Sequence, residues 1–309
     1  MENGVKIFVF DHETELLKMK KHYPAADLLL RIETDDVTAH FPLSDRFGAP
    51  MTQTRDLMKM AKELQMNIIG ICFHPGSGIN SVETYSKAIR DSKELFEFAK
   101  TLGMDFTILD IGGGFPAVPK SKLSFEEISA CVNENLDKYF PVEEYGNLEI
   151  IAEPGRYYSS TAFTLATSVL SKFEPKHKAD VDIEYVLGDG VHGSLKYYSD
   201  LMPGEGEPFV VKGSANPVMH YARLTGPTCD GDDVLAKKLL VPEMDAGDWL
   251  LWKNAGAYTF CFTTGFNGFK ANDFYNIISK ENEEEFWELV NNITRVQKTP
   301  KAIHNHCNE

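Results

Sequence analysis

Cysteine is scarce in this 309-residue chain: Cys72, Cys131, Cys229, Cys261 and Cys307 are scattered, odd in number and form no CxxC pair. A disulfide framework is thereby excluded, and reduced thiols in the cytoplasm are expected. Basic runs are missing too. With 31 Lys and Arg against 46 Asp and Glu the formal charge is -15, so neither a nucleic-acid backbone nor an anionic membrane is an expected partner. No apolar run approaches the ~18 residues of a membrane span. Met1-Glu2-Asn3-Gly4 leads into a strand-like run without the charged segment or cleavage site of a secretory leader. The tail His304-Asn305-His306-Cys307 lacks a fourth ligand at finger spacing, so no metal is assigned.

What is present is a repeating alternation of apolar runs and helical stripes. Val5 to Phe10 reads as a strand, with Asp11 capping a helix over Glu13 to Tyr23. Leu28 to Ile32 is the next strand, followed by a helix starting at Thr54, and Asn67 to Phe73 is the third. Ser81 caps a helix striped by Tyr85, Ala88, Ile89, Leu95, Phe96, Ala99 and Leu102, which Gly103 stops. Phe106 to Ile111 is the fourth strand. Ser124-Phe125-Glu126-Glu127 is a capping box for a helix stopped by Pro141, and Leu148 to Ala152 is the fifth strand. Five βα units imply a parallel sheet with ligands at its carboxyl ends. From about Ser160 the texture changes to strand-like runs at Ala162 to Phe173, Asp182 to Leu187, Trp249 to Trp252 and Phe260 to Thr264. The expected division is an α/β domain over 4–158, a β-rich domain over 159–280, and an acidic helix with a polar tail over 281–309.

The strand ends carry the chemistry. Leu109-Asp110-Ile111-Gly112-Gly113-Gly114 lets backbone amides approach an anion, although glycines also make ordinary turns there. Glu153-Pro154-Gly155-Arg156 puts a carboxylate and a guanidinium at the next strand end, and a buried, unpaired Glu153 would need a protonated ring nitrogen as partner. His74 is either a satisfied core imidazole or, followed by Pro75-Gly76-Ser77-Gly78, a flat ring over a cofactor with Ser77 donating to phosphate. A phosphorylated, basic cofactor answers this set.

FHPGSG at 73–78, LDIGGGFP at 109–116, EPGRYY at 153–158, GPTCDGDD at 226–233 and GDW with NAGAYT through 247–259 resemble the eukaryotic ornithine decarboxylases and their antizyme-inhibitor relatives. The resemblance implies a pyridoxal 5'-phosphate-binding β/α (TIM-like) barrel, a β-sandwich-like second domain and a homodimer with shared active sites. It further implies a basic amino-acid substrate, ornithine being turned into putrescine for polyamine biosynthesis, and antizyme as a partner. By the same resemblance Glu153 would pair with the pyridine nitrogen and keep it protonated. Ser77, Gly114, Arg156 and Tyr258 would hold the phosphate, Pro154 and Gly155 would shape that turn, His74 would stack on the ring, and Arg31 falls near the cofactor. Cys229, from the partner subunit, would deliver a proton, and Asp230 would bind the distal ammonium. Arg46, where Lys is more usual, would bridge to Asp233 across the dimer.

Departures from the family pattern are local. The second substrate carboxylate falls on Leu201 by ungapped counting, with Asp200 one residue early, and His192 replaces a tyrosine. No segment resembling PFYAVKCN, which holds the family's cofactor-bearing lysine, occurs in the sequence, and five of eight barrel units are found. Three readings stay open: a truncated decarboxylase, a regulator that binds antizyme without catalysis, and an unrelated open α/β phosphate-binding protein. On the first, the chain as it stands is expected to release negligible carbon dioxide and to be poorly soluble.

Overall fold

The computed structural model describes residues 3–117, 122–174, 180–197, 208–210, 218–271 and 273–275, together with Glu284 and Glu288. Strands β1 (Ile7–Phe10), β2 (Asp27–Arg31), β3 (Asn67–Cys72), β4 (Ile108–Asp110) and β5 (Glu149–Ile151) form one parallel sheet in chain order. Helices α1 (Glu13–His22), α2 (Met51–Glu63), α3 (Glu83–Leu102) and α4 (Phe125–Tyr139) connect them. This is the partial β/α barrel expected from the five apolar runs. Its main core lies between sheet and helices, where Leu28, Leu30, Ile68 and Ile71 meet Leu16, Met58, Ile89 and Phe96. The opposite sheet face carries a smaller cluster of Leu29, Cys72 and Ile108.

Local signals account for several boundaries. The Ser124 hydroxyl accepts from the Glu127 amide at 3.1 Å while Glu127 accepts from the Ser124 amide at 2.8 Å, which completes the capping box of α4. Gly103 closes α3 in the left-handed conformation, φ 69°. Other expectations need correcting. Asp11 does not cap α1; His12 does, its Nδ1 accepting from Thr14, while Asp11 accepts from the Gly48 amide at 2.8 Å. Helix α2 begins at Met51 rather than Thr54, because Pro50 supplies the extended cap position with φ preset. Ser81 sits one residue outside the Val82 cap of α3, though its hydroxyl accepts from the Glu83 amide. Pro141 both stops α4 and starts the short α5 (Val142–Tyr145).

After α6 (Gly155–Ser159) a second sheet is assembled from β6 (Leu165–Phe173), β7 (Ile183–Leu187), β8 (Pro208–Val210), β9 (Met219–Thr225), β10 (Val234–Pro242) and β11 (Trp249–Trp252). Its order is β10-β9-β7-β6-β11-β8, antiparallel except for the β7–β9 pair. Tyr185, Leu187, Leu224, Leu250 and Trp252 fill its core, and the Trp252 indole donates to the Thr167 hydroxyl at 2.7 Å. Phe260 to Thr264 is not a strand; Phe260–Phe262 is a single 3-10 turn. The change of architecture falls between β5 and β6. Both sheets belong to one compact unit, Met1–Ala271, and Asn272–Glu309 forms the other. The expected acidic helix and tail over 281–309 lie outside the described residues apart from Glu284 and Glu288, as does Asp200. No described helix is long and apolar enough to cross a membrane.

Candidate functional site

The carboxyl ends of β2 to β5 converge on a glycine turn. Gly112 and Gly114 hold φ values of 65° and 91°, which side chains rarely adopt. A Cβ on Gly112 would sit 2.1 Å from the Phe73 carbonyl, and one on Gly114 would sit 2.1 Å from the Gly76 carbonyl. The turn therefore lies directly against the His74–Gly76 backbone. On its other side the Glu153 amide donates to the Gly112 carbonyl at 2.8 Å. Tyr85, buried on α3, donates its hydroxyl to the Gly113 carbonyl at 2.6 Å and so fixes the turn from beneath. Helical spacing marks Tyr85 as core; the polar tip that a buried tyrosine must satisfy was the available signal for this second role.

The side chains around the turn form an electrostatic cluster. Nδ1 of His74 accepts from the Gly76 amide at 3.1 Å, and burial, followed by Arg31, pushes the imidazole below its ordinary value against the pull of Glu153 and Asp36. Ser77 is locked by paired backbone bonds with Phe41 at 3.0 and 3.1 Å. Arg156 is buried, its guanidinium 4.7 Å from the Tyr258 ring centre, and Tyr258 itself has φ 56° and stands half exposed. The Arg31 guanidinium lies over Phe47 at 4.9 Å. Glu153 is exposed, contrary to the buried carboxylate expected, because β5 is an edge strand whose residues are only partly covered. Behind it stands Asp110, which reading the sequence as a strand end did not single out.

Asp110 is buried, accepts from the Gly112 amide at 2.9 Å and shares a hydrogen bond with Glu153. Burial pushes its carboxyl up to about 6 from 3.8; the Gly112 amide and Arg31 oppose the rise and Glu153 adds to it. A raised acid stabilises the fold below its unfolded value and loses that contribution as pH climbs through the folded one. Stability should therefore fall between about pH 4 and about pH 6, by on the order of 1–3 kcal/mol. Asp110→Asn keeps the acceptor for Gly112 and should flatten this segment of a urea-unfolding pH profile. An unchanged slope in the variant would assign the dependence elsewhere.

A second group gathers on the other sheet. The turn at 226–233 is built on Asp233, 2% exposed, whose carboxylate accepts from the Val191 amide at 2.8 Å, the Thr228 amide at 3.1 Å and the Thr228 hydroxyl at 2.6 Å. That turn presents Cys229, exposed and 3.6 Å from the Asn267 amide oxygen, and Asp230, paired with His192 at 2.7 Å. The Cys229 thiol is hydrogen-bonded to Asn267, and the Asp230 carboxylate to His192 and the Asp232 amide. Arg46 stacks on Phe47 at 5.1 Å, while the Asp233 carboxylate serves its own turn. A cavity of about 340 Å³ opens beside Gly114, between His40, Asn80 and Lys122, and includes neither Glu153 nor Arg156. Among the described residues no His, Cys, Asp and Glu cluster could hold a metal.

A buried cation, a glycine cradle closed by backbone contact, a neutral imidazole and an exposed carboxylate backed by Asp110 suit a phosphorylated pyridine. Residues 1–160 match the family model for the pyridoxal binding domain of pyridoxal-dependent decarboxylases. The chain is 39% identical over 317 residues to antizyme inhibitor 2 of Xenopus laevis, covering 99% of this chain and 68% of that one. It is 39% identical over 303 residues to ornithine decarboxylase of Mus musculus, covering 94% and 64%. It thus spans about two thirds of the length of these relatives. The arginine decarboxylase of Paramecium bursaria Chlorella virus superposes with a TM-score of 0.79 at 34% identity over 89% of this chain and 72% of that one. The lysine/ornithine decarboxylase of Vibrio vulnificus, complexed with putrescine, gives 0.72 at 30% over 87% and 69%. With half its length matching that domain and relatives 39% identical over nearly all of it, the chain belongs to the pyridoxal-phosphate-dependent decarboxylases of the ornithine decarboxylase family, which includes the antizyme inhibitors.

Proposed function

We propose that this protein serves pyridoxal-phosphate-dependent decarboxylation of a basic amino acid, ornithine foremost, as a cytoplasmic homodimer with shared sites. The observation that carries the reading is the meeting of His74, Gly112 to Gly114 and Glu153 at one end of the parallel sheet, with Arg156 buried on the short helix that follows β5. The cofactor, when bound, supplies a ring that accepts the electron pair released as carbon dioxide leaves. The chain's own groups do the rest. Arg156, Ser77, Tyr258 and the Gly114 amide hold the phosphate, Pro154 and Gly155 shaping the turn that carries Arg156. Glu153 keeps a proton on the ring nitrogen, and Asp110 behind it fixes the direction of that carboxylate. His74, neutral with Nδ1 committed to Gly76, offers a flat apolar face. Cys229 hands a proton to the carbon that lost carbon dioxide, and Asp230 receives the distal ammonium. As the family resemblance implies, each site takes Cys229 and Asp230 from the partner subunit, with Arg46 and Asp233 near that contact.

A second reading, a non-catalytic regulator that binds antizyme, is favoured by the 39% identity to antizyme inhibitor 2 over 99% of the chain. Protein purified from its own cells, supplied with pyridoxal phosphate and carboxyl-labelled ornithine, lysine or arginine, distinguishes the two. From the chain as it stands negligible release is expected; supplied with a PFYAVK-type lysine segment it should release labelled carbon dioxide, fastest from ornithine, with that lysine labelled after borohydride reduction. Antizyme binding by the lysine-bearing form without release from any of the three would overturn the decarboxylase reading in favour of the regulator.

A further inference from the structure

From the His192–Asp230 pair we infer that His192 is a specificity-determining positioning residue: it sets the charge that Asp230 presents to the distal group of the substrate. The inference rests on the reading of Asp230 as the carboxylate that receives that group. Nε2 of His192 lies 2.7 Å from one Asp230 oxygen, and the other oxygen accepts from the Asp232 amide at 3.0 Å. A carboxylate offers about four lone-pair sites, so both oxygens keep room for a cation. The imidazole cannot swing aside easily. Its ring packs against Phe266, centroids 4.4 Å apart, and its carbonyl accepts from the Thr264 amide at 3.0 Å and hydroxyl at 3.1 Å.

The state of the imidazole decides the net charge of the pair. Neutral, it donates one N–H and leaves a whole negative charge for a distal ammonium. Protonated, it forms a neutral ion pair that opposes a second cation, while the aromatic face of Phe266 keeps the imidazolium seated. The other acids nearby do not substitute for Asp230. Asp233 is spent on Val191 and Thr228, and Asp189 on the Gly190 and Ser194 amides, while Asp232 lends Asp230 its amide from the exposed side of the turn. A tyrosine there would donate to Asp230 without ever adding a positive charge. A neutral donor at position 192 thus leaves Asp230 able to prefer a cationic tail, and an imidazolium there cancels that preference.

The test uses the full chain loaded with pyridoxal phosphate, titrated with 1,4-diaminobutane in a calorimeter from about pH 5.5 to about pH 8.5. Affinity should rise by about tenfold or more across that range. His192→Gln and His192→Tyr, each a non-titrating donor, should bind with little pH dependence, and Asp230→Asn should bind weakly throughout. Equal slopes in the parent and both His192 variants would overturn the inference and leave the Asp230 reading standing. If the loaded parent binds no diamine at any pH, the Asp230 reading fails and the inference with it.

Discussion

Gly112→Ala is expected to destabilise the protein by about 2–5 kcal/mol, the sum of a left-handed backbone without glycine and an overpacked contact. The methyl would enter at 2.1 Å from the Phe73 carbonyl and 2.9 Å from the His74 Cα, and both are backbone atoms. Backing away is not open to residue 112 either. Its amide is committed to Asp110 at 2.9 Å and its carbonyl to the Glu153 amide at 2.8 Å, so any shift breaks one of the two bonds. Against a usual total of about 5–15 kcal/mol this is a large fraction. Urea unfolding at constant slope measures it. A loss below about 1 kcal/mol would mean that the β3 and β4 ends separate more readily than their packing implies.

Arg156→Ala should weaken retention of pyridoxal phosphate by roughly 10- to 150-fold, the value of one or two charge-assisted hydrogen bonds to phosphate. The guanidinium is buried beneath the Tyr258 ring, on the short helix that directly follows β5. Arg156→Lys retains the charge but not the planar fork and should recover only part of the affinity. Quenching of intrinsic fluorescence by added cofactor reads both variants. An alanine variant with parental affinity would remove Arg156 from the phosphate contacts and reassign it to packing between the sheets' connecting turns.

The parallel half of the molecule was legible because its signals are local. Ser124 with Glu127, Gly103 and the apolar runs ending at Arg31, Cys72 and Asp110 each act within a few residues, and the element order follows from them. The second half was read less completely. Met219–Thr225 and Val234–Pro242 escaped because His220 and Arg223 interrupt one run and Lys237 and Lys238 the other, while bulges break the alternation of β10. These strands are held by long-range pairing that no short window records. The motif glycines and His74 lie against one another at one sheet end. Asp110, Tyr85 and the His192–Asp230 pair depend on which side chains face one another across elements, and that information lies outside any single segment.

The strand orders of the two sheets also fix the sequence in which they can form on the ribosome. Each parallel strand pairs with the one made just before it, so β2 can settle on β1, β3 on β2 and so on while the chain is still emerging. The second sheet keeps that schedule only for the β6–β7 and β9–β10 pairs. The first half of β6 waits for β11, since Leu165 to Ser168 pair with Trp252 to Trp249, and the other edge of β7 waits for β9. Until Trp252 has left the exit tunnel the Thr167 hydroxyl has no indole to accept from and the hydrophobic side of β6 stays uncovered. A nascent chain arrested before residue 249 should therefore carry a protease-resistant amino-terminal half and a sensitive remainder, and one arrested well beyond residue 271 should resist in both.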